Sequence, residues 1–208
     1  MDPVDKAILA SLYASTLDPS VSAYDRIKSR LPISPEFYNT RISQLAKMGL
    51  IEKGDPSKLT FIGRDALKVV LVGGVFDLIH PGHIHTLKAA KEQGDVLVVV
   101  VARTTTAQKI KKDRKIYHDE SLRKELVYSL SFVDLVLIGR EGTLYDTVEY
   151  VKPNVIALGY DQAHSEKDVA ENCKKRNLNV HVIRLSTPIP GSKSSKIKEE
   201  LGDSIYGI

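Results

Sequence analysis

Residues 69–85 of this chain read VVLVGGVFDLIHPGHIH. The apolar run that opens this stretch has the composition of a strand buried on both faces of a parallel sheet. Residues 84–93 have the apolar spacing and the helix-forming residues of a helix. A strand, a glycine-bearing loop and a helix in this order favour anion binding, because free backbone amides and the helix dipole meet at the helix start. His80 and His83 flank Gly82, which places no side chain between a bound phosphate and the backbone.

Composition places the chain among soluble globular proteins. It has 208 residues, of which 42% are hydrophobic and 27% charged. The net charge of +4 suits an anionic ligand such as a nucleotide and does not require nucleic acid. A single cysteine, Cys173, excludes an internal disulfide and fits a reducing compartment. The longest strongly apolar run, residues 96–102, is too short to span a membrane. We therefore expect a cytoplasmic protein with no membrane span and no signal peptide.

Residues 1–67 predict a small separate domain. Apolar spacing and capping residues predict helices at 4–13, 23–31 and 35–48, and two short strands at 50–53 and 58–61. This order resembles a winged helix-turn-helix domain, which implies DNA binding through the third helix. The segment holds nine Lys or Arg and eight Asp or Glu, a net charge of only +1. DNA-reading surfaces are usually more basic, so docking or dimerisation is favoured over DNA binding.

From residue 68 onward, strands and helices alternate. This alternation predicts an α/β domain over 68–208, with a doubly wound, parallel, five-stranded Rossmann-like sheet. Ligands of such sheets bind beyond the carboxyl ends of the strands, at the switch point, where the quoted stretch ends. The predicted strands are 69–72, 96–101, 135–138, 155–158 and 180–185, and the predicted helices are 84–93, 119–131, 144–151, 165–176 and 193–201.

The stretch Phe76-Asp77, followed by His80-Pro81-Gly82-His83, resembles the His-x-Gly-His signature of the nucleotidylyltransferase superfamily. The resemblance covers about residues 68–200. Val75 departs from the pattern, since the superfamily usually has a hydroxyl residue there. The resemblance implies that both histidines are catalytic and that they bind the nucleotide together with Gly74, Val75, Phe76, Pro81 and Gly82.

Four further stretches follow predicted strands or belong to predicted helices nearby: residues 102–115, 123–124, 159–162 and 191–197. The resemblance implies nucleotide binding by Arg103, Lys112, Arg123, Gly159, Asp161, Ser194 and Ser195, and catalysis assisted by Lys196. Each has a plainer alternative. The basic residues, including Lys112 and Arg123, suit a solvated surface, Asp161 suits a helix cap, and the serines suit an N-cap.

The quoted residues, with Tyr160-Asp161-Gln162, are most similar to archaeal FAD synthetases. This resemblance implies transfer of AMP from ATP to FMN, with Mg²⁺ bridging phosphate oxygens and Asp77 as a metal ligand. The alternative is a cytidylyltransferase that uses CTP and glycerol 3-phosphate or a related polyol phosphate. A second alternative is a winged-helix regulator whose nucleotidyltransferase-like domain senses a ligand. The expected partners are a nucleoside triphosphate and a phosphate-bearing acceptor, and related domains are often homodimers.

Overall fold

The computed structural model describes residues 1–110, 116–160 and 162–186. Residues 1–67, called here the N-terminal unit, contain the predicted helices and hairpin in the predicted order. Asp2 caps the first helix by accepting a hydrogen bond from the backbone N–H of Val4 at 2.7 Å. The first helix is longer than predicted, and the second strand begins earlier. The elements are α1 (Pro3–Leu17), α2 (Ala23–Lys28), α3 (Pro35–Lys47), β1 (Ile51–Glu52), β2 (Asp55–Leu59) and α4 (Phe61–Asp65).

The rest of the described chain alternates strands with helices, as the sequence predicts. The residues after β4 differ from the prediction, because they form a short helix, α6, where the sequence predicts no helix. The predicted helix at 193–201 lies outside the described residues. The elements are β3 (Val69–Gly74), α5 (Pro81–Lys91), β4 (Val96–Val101), α6 (Thr104–Ile110), α7 (Glu120–Tyr128), β5 (Leu135–Ile138), α8 (Leu144–Val151), β6 (Val155–Leu158), α9 (Glu166–Lys175) and β7 (His181–Arg184).

Within the described ranges, one parallel sheet has the strand order β5-β4-β3-β6-β7. This confirms the doubly wound, five-stranded prediction. The chain leaves β3 towards β4 and β5, then crosses back to place β6 on the other side of β3. β3 pairs with β4 along its whole length, but with β6 only at Val70 and Leu71. The pairing of β3 with β6 therefore ends before the carboxyl ends of both strands, at the switch point where sheets of this type have a ligand-binding crevice.

Two apolar layers cover the two faces of the sheet. Alternate residues of each central strand point to opposite faces, so β4, with all six residues buried, serves both layers. One face packs on Leu87 and Ala90 of α5 and on Val127 of α7. The opposite face packs on α8 and α9, and its apolar cluster continues without a break into the N-terminal unit.

Polar contacts also join the N-terminal unit to the sheet domain. The Tyr13 hydroxyl donates to the carbonyl of Val151 at 2.6 Å, and the Tyr150 hydroxyl donates to the carbonyl of Leu17 at 2.7 Å. Arg30 pairs with Asp134 at the start of β5. The N-terminal unit therefore packs on the α8 side of the sheet. No helix in the described ranges is long and apolar enough to cross a membrane.

Candidate active site

The loop that follows β3 makes a tight turn through a non-glycine residue. Phe76 has a φ of 53°, in the left-handed region that side chains rarely adopt. Its ring is 6% exposed and folds back over Gly74. A Cβ placed on Gly74 would lie 2.7 Å from that ring, which explains why glycine stands there.

The two histidines of the motif lie together at the start of α5. His80 immediately precedes the helix, Pro81 is its first residue, and His83 is in its first turn. The ring centroids of His80 and His83 are 4.0 Å apart, and the His83 ring lies 5.3 Å from the Phe76 ring. The predicted pairing of the imidazoles beside the positive end of a helix is therefore present in the structure.

A cavity of about 390 Å³ opens beside this pair. Its volume is in the range of small-molecule sites, about 300–1,000 Å³. The cavity is lined by Ile79, His80, Pro81, Ile84 and His85.

The carboxyl group of Asp77 anchors a distant backbone segment. It is 1% exposed, and its Oδ1 accepts hydrogen bonds from the backbone N–H groups of Tyr117 and His118 at 3.0 and 3.1 Å. The Nδ1 of His118 lies 3.0 Å from the backbone carbonyl of Asp77. Among the residues described, no group of three or more His, Cys, Asp or Glu is placed to hold a metal ion. The geometry thus shows Asp77 fixing backbone, and its predicted metal role stays a prediction.

Arg123 lies in the interior rather than at the surface of α7. Its side chain is fully buried, and burial lowers its pKa from the ordinary value, while the charge of Asp77 opposes that shift. The guanidinium holds together the ends of β3 and β4 and the segment before α7. It donates to the carbonyls of Val75 at 2.7 Å, Ala102 at 2.8 Å and His118 at 2.9 Å, and to the Thr104 hydroxyl at 3.3 Å.

Arg103, at the carboxyl end of β4, points towards β5. Its Nε donates to the carbonyl of Gly139 at 2.9 Å, and its Nη2 lies 3.9 Å from Glu141. With Ile138, Arg140 and Glu141 it lines a second, open cavity of about 400 Å³. The structure therefore places Arg103 on the β4–β5 side of the site, opposite the crevice.

The crevice between β3 and β6 is bridged by Gln162, whose Nε2 donates to the carbonyl of Gly73 at 2.6 Å. Arg184, at the end of β7, donates to the carbonyls of Gly159 at 2.9 Å and Gln162 at 3.2 Å, and pairs with Glu166. The sequence singles out Gln162 only within Tyr160-Asp161-Gln162, and it predicts no site role for Gln162 or Arg184. The available signal was an arginine, Arg184, near the end of the predicted fifth strand.

Comparison with known proteins decides the family. The pattern of the family described as "Cytidylyltransferase-like" matches residues 71–200, more than half of the chain. This chain belongs to the cytidylyltransferase-like family. Membership confirms the predicted nucleotidylyltransferase resemblance and the predicted class of enzyme, a nucleotidyltransferase.

The relatives of this cytidylyltransferase-like protein include archaeal proteins named FAD synthase. The chain is 46% identical over 116 residues to one from Aciduliprofundum boonei, covering 56% of this chain and 76% of that relative. It is 43% identical over 143 residues to one from Pyrococcus horikoshii, covering 67% of this chain and 96% of the relative. A solved lipopolysaccharide core biosynthesis protein from Thermoplasma volcanium shares 41% identity with a TM-score of 0.57, covering 59% of this chain and 99% of that one. The predicted likeness to archaeal FAD synthetases is confirmed.

Five of the predicted site residues of this family member lie outside the described residues. They are Lys112, Asp161, Ser194, Ser195 and Lys196. The β6 end that precedes Asp161 is described, and Arg184 and Gln162 fix the backbone on both sides of it. The predicted roles of all five residues stay predictions.

A basic residue of the third helix of the N-terminal unit is engaged within that unit. Arg41, one of the helix's two basic residues, makes a two-pronged ion pair with Asp5 of α1, at 2.8 and 2.6 Å. Its Nη1 also donates to Gln44 at 2.9 Å. Arg41 therefore stabilises the packing of α3 on α1.

Proposed function

We propose that this protein transfers AMP from ATP to FMN and releases FAD and pyrophosphate. The observation that carries the proposal is the His80–His83 pair at the start of α5, at the switch point of a sheet whose relatives are FAD synthases. An oxygen of the FMN phosphate attacks the α-phosphorus of ATP. The bond from that phosphorus to the oxygen bridging to the β-phosphate breaks, and pyrophosphate leaves with both electrons of the bond.

In this mechanism the protein positions the two substrates and stabilises charge. The imidazoles of His80 and His83 donate hydrogen bonds to the α-phosphate, where negative charge builds in the transition state. The positive end of α5 lies behind both rings and adds to the same effect. Ser194, Ser195 and Lys196 are proposed to hold the β- and γ-phosphates, and Lys112 to assist.

The nucleotide is proposed to lie over the crevice between β3 and β6, next to Gly159 and Asp161. Support comes from Gln162 and Arg184, which fix the backbone on either side of Asp161. The acceptor then approaches from the β4–β5 side, where Arg103 and its cavity lie.

A divalent ion, with Mg²⁺ the expected one, would bind together with the triphosphate. Mg²⁺ keeps several waters and needs only one or two protein carboxylates beside substrate phosphates. This suits a site whose described residues offer no protein cage for a metal. When bound, the ion neutralises charge on the phosphate oxygens.

For residues 1–67 we propose a docking role on the sheet domain, with the domain division at 67/68. The ion pair of Arg41 with Asp5, and the contacts of Tyr13 and Arg30 with the sheet domain, support this role over DNA binding. We place the enzyme in the cytoplasm, which holds ATP and suits a single buried thiol, Cys173.

The test is FAD formation measured by chromatography, with FMN and either ATP or CTP, in Mg²⁺ and in Co²⁺, together with pyrophosphate release from CTP and glycerol 3-phosphate under the same conditions. We expect ATP-dependent FAD formation that His83→Ala lowers by at least about 100-fold, in line with loss of one oxyanion-stabilising donor. His181→Ala is the matched control, because His181 is exposed at the amino end of β7, at the opposite edge of the sheet. Turnover only with CTP and glycerol 3-phosphate would refute the flavin proposal and support the cytidylyltransferase alternative.

A further inference from the structure

The left-handed backbone conformation of Phe76 needs an explanation, because only glycine adopts it without strain. A left-handed conformation is strained for a non-glycine residue, and such residues persist only where their surroundings over-determine them. Glycine at this position would lack the Phe76 ring, which packs against His83 and covers Gly74. The question is which groups hold the strained residue in place.

Both neighbours of Phe76 are held by buried polar groups. On one side, the carbonyl of Val75 accepts a hydrogen bond from Nη1 of Arg123 at 2.7 Å. On the other side, the carboxylate of Asp77 accepts from the backbone N–H groups of Tyr117 and His118. The Arg123 side chain is 0% exposed, so it makes no contact with bulk water.

The two anchors are themselves connected. The Nε of Arg123 donates to the carbonyl of His118, whose backbone N–H donates to Asp77. The ring of His118 contacts the carbonyl of Asp77 as well. Arg123, His118 and Asp77 therefore close a ring of contacts around the turn that contains Phe76. We call these three residues the clasp.

We propose that the clasp holds Phe76 in its left-handed conformation and thereby fixes the His83 ring for transfer. Arg123 and Asp77 are then positioning residues, acting through Phe76, and neither contacts the nucleotide. This proposal rests on the proposed function for its kinetic consequences, but its structural consequence does not. Four of the five N–H donors of Arg123 are already used within the protein, which leaves little for a phosphate.

The first test is the kinetics of Arg123→Lys. Lysine keeps the charge but is a point donor that cannot reproduce the fork of a guanidinium. We expect kcat for FAD formation to fall about 10- to 100-fold, the cost of a small misplacement of a catalytic group, with the KM for ATP changed by less than about 3-fold. A rise in the KM for ATP that accounts for the loss would overturn the proposal, because it would show that Arg123 binds the nucleotide.

Lys124→Gln is the matched control for that variant. Lys124 is the next residue on the same helix and lies 3.3 Å from Asp18 of the N-terminal unit. Removing its charge leaves the clasp intact, so we expect kcat within about 2-fold of wild type. An equal loss of kcat in Lys124→Gln and Arg123→Lys would contradict a specific role for Arg123.

The second test does not need turnover. The ¹⁵N shifts of the His83 ring nitrogens are measured by NMR in the ligand-free protein, with His181 as the internal reference. We expect Arg123→Lys to move the His83 signals and to leave those of His181 unchanged, because only His83 packs on Phe76. An unmoved His83 signal in a folded Arg123→Lys variant refutes the clasp, whether or not the protein makes FAD.

Phe76→Gly keeps the proposal testable if Arg123 variants fold poorly. Glycine adopts a positive φ without strain, so the turn is expected to form while the ring beside His83 is lost. We expect the same fall in kcat at a nearly constant KM for ATP. Wild-type kcat in Phe76→Gly would show that the ring does not position His83 and would overturn the proposal.

Discussion

Two loops meet at the switch point, and each is held by one guanidinium that donates to backbone carbonyls. The loop between β3 and α5 is held by Arg123, and the loop between β6 and α9 is held by Arg184. Arg123 is fully buried, and its described hydrogen bonds go to three carbonyls and one hydroxyl. Arg184 is 28% exposed and is paired with the carboxylate of Glu166. An arginine that donates to loop carbonyls is thus found once in the interior of the protein and once partly exposed at its surface.

The difference teaches where rigidity is needed. A buried guanidinium cannot exchange its carbonyls for water, so the loop that presents the histidine pair is fixed. A partly exposed one competes with water and salt, so we expect Arg184 to hold the carbonyls of Gly159 and Gln162 less firmly. In the proposed reaction, transfer at the α-phosphate needs the histidine pair to be held in place.

The largest expected contrast is in stability. Arg123→Met removes a fully buried guanidinium and leaves three part-buried carbonyls without their charged donor, so we expect it to lower the free energy of unfolding by about 3 kcal/mol or more. Arg184→Met leaves its carbonyls within reach of water, and we expect a loss of about 1 kcal/mol or less. Urea denaturation of both variants measures the difference. Equal losses would break the comparison between the two loops.

A second contrast lies within the β3–α5 loop, between two neighbouring glycines. In Gly74→Ala the new methyl group would meet the Phe76 ring at 2.7 Å. We expect a loss of about 1–3 kcal/mol from overpacking, together with a fall in kcat.

Gly73→Ala is the control for that substitution, since the nearest atom to its new methyl group is the carbonyl oxygen of Val100 at 4.0 Å. We expect its stability to be unchanged or raised by up to about 1 kcal/mol. Thermal unfolding and the FAD assay on both variants check this pair. A tolerated Gly74→Ala would show that the Phe76 ring is not tightly placed.

The smallest expected effect concerns pH. The hydrogen bond from Arg184 lowers the pKa of Glu166 from its ordinary value of 4.5. A carboxyl whose folded pKa is depressed contributes stability above its unfolded pKa, and that contribution is lost as pH falls through the folded pKa. The β6–α9 loop should therefore loosen below about pH 4, whereas the carbonyls held by Arg123 do not titrate.

Amide NMR shifts of Gly159 and Val75, followed from pH 5.5 to 3.5, separate the two loops. We expect the Gly159 signal to move and Glu166→Gln to abolish that movement, with Val75 steady in both proteins. A parallel movement of Val75 would mean that the acid response is global and does not report on the Arg184–Glu166 pair.

Much of the sheet could be predicted from the sequence, because its strands are local runs of buried apolar residues. β4, β5 and β6 have the predicted bounds. Short Val- and Leu-rich runs between polar turns indicate buried strands where strands and helices alternate along the chain. The proximity of His80 and His83 was also predicted from local sequence, but the predicted helix began at residue 84, whereas α5 begins at Pro81 and holds His83 in its first turn.

Features that depend on contacts distant in sequence could not be predicted. Thr104-Thr105-Thr106 has poor helix propensity, yet α6 begins there, with the Thr104 hydroxyl bonded to Glu120. Arg123 has the sequence signature of a surface residue on a polar helix. Its burial depends on carbonyls supplied by three other segments, which no local pattern reveals. The left-handed Phe76 is likewise set by its neighbours in space.

The shared apolar cluster of the N-terminal unit and the sheet has a consequence for how the protein melts. Since the N-terminal unit and one sheet face share one continuous apolar cluster, neither can open without exposing part of that cluster to water. The chain should unfold in a single cooperative transition rather than in two steps. A nucleotide bound at the carboxyl edge of the sheet would then raise the melting temperature of the N-terminal helices as well, because ligand binding stabilises everything that unfolds with its site.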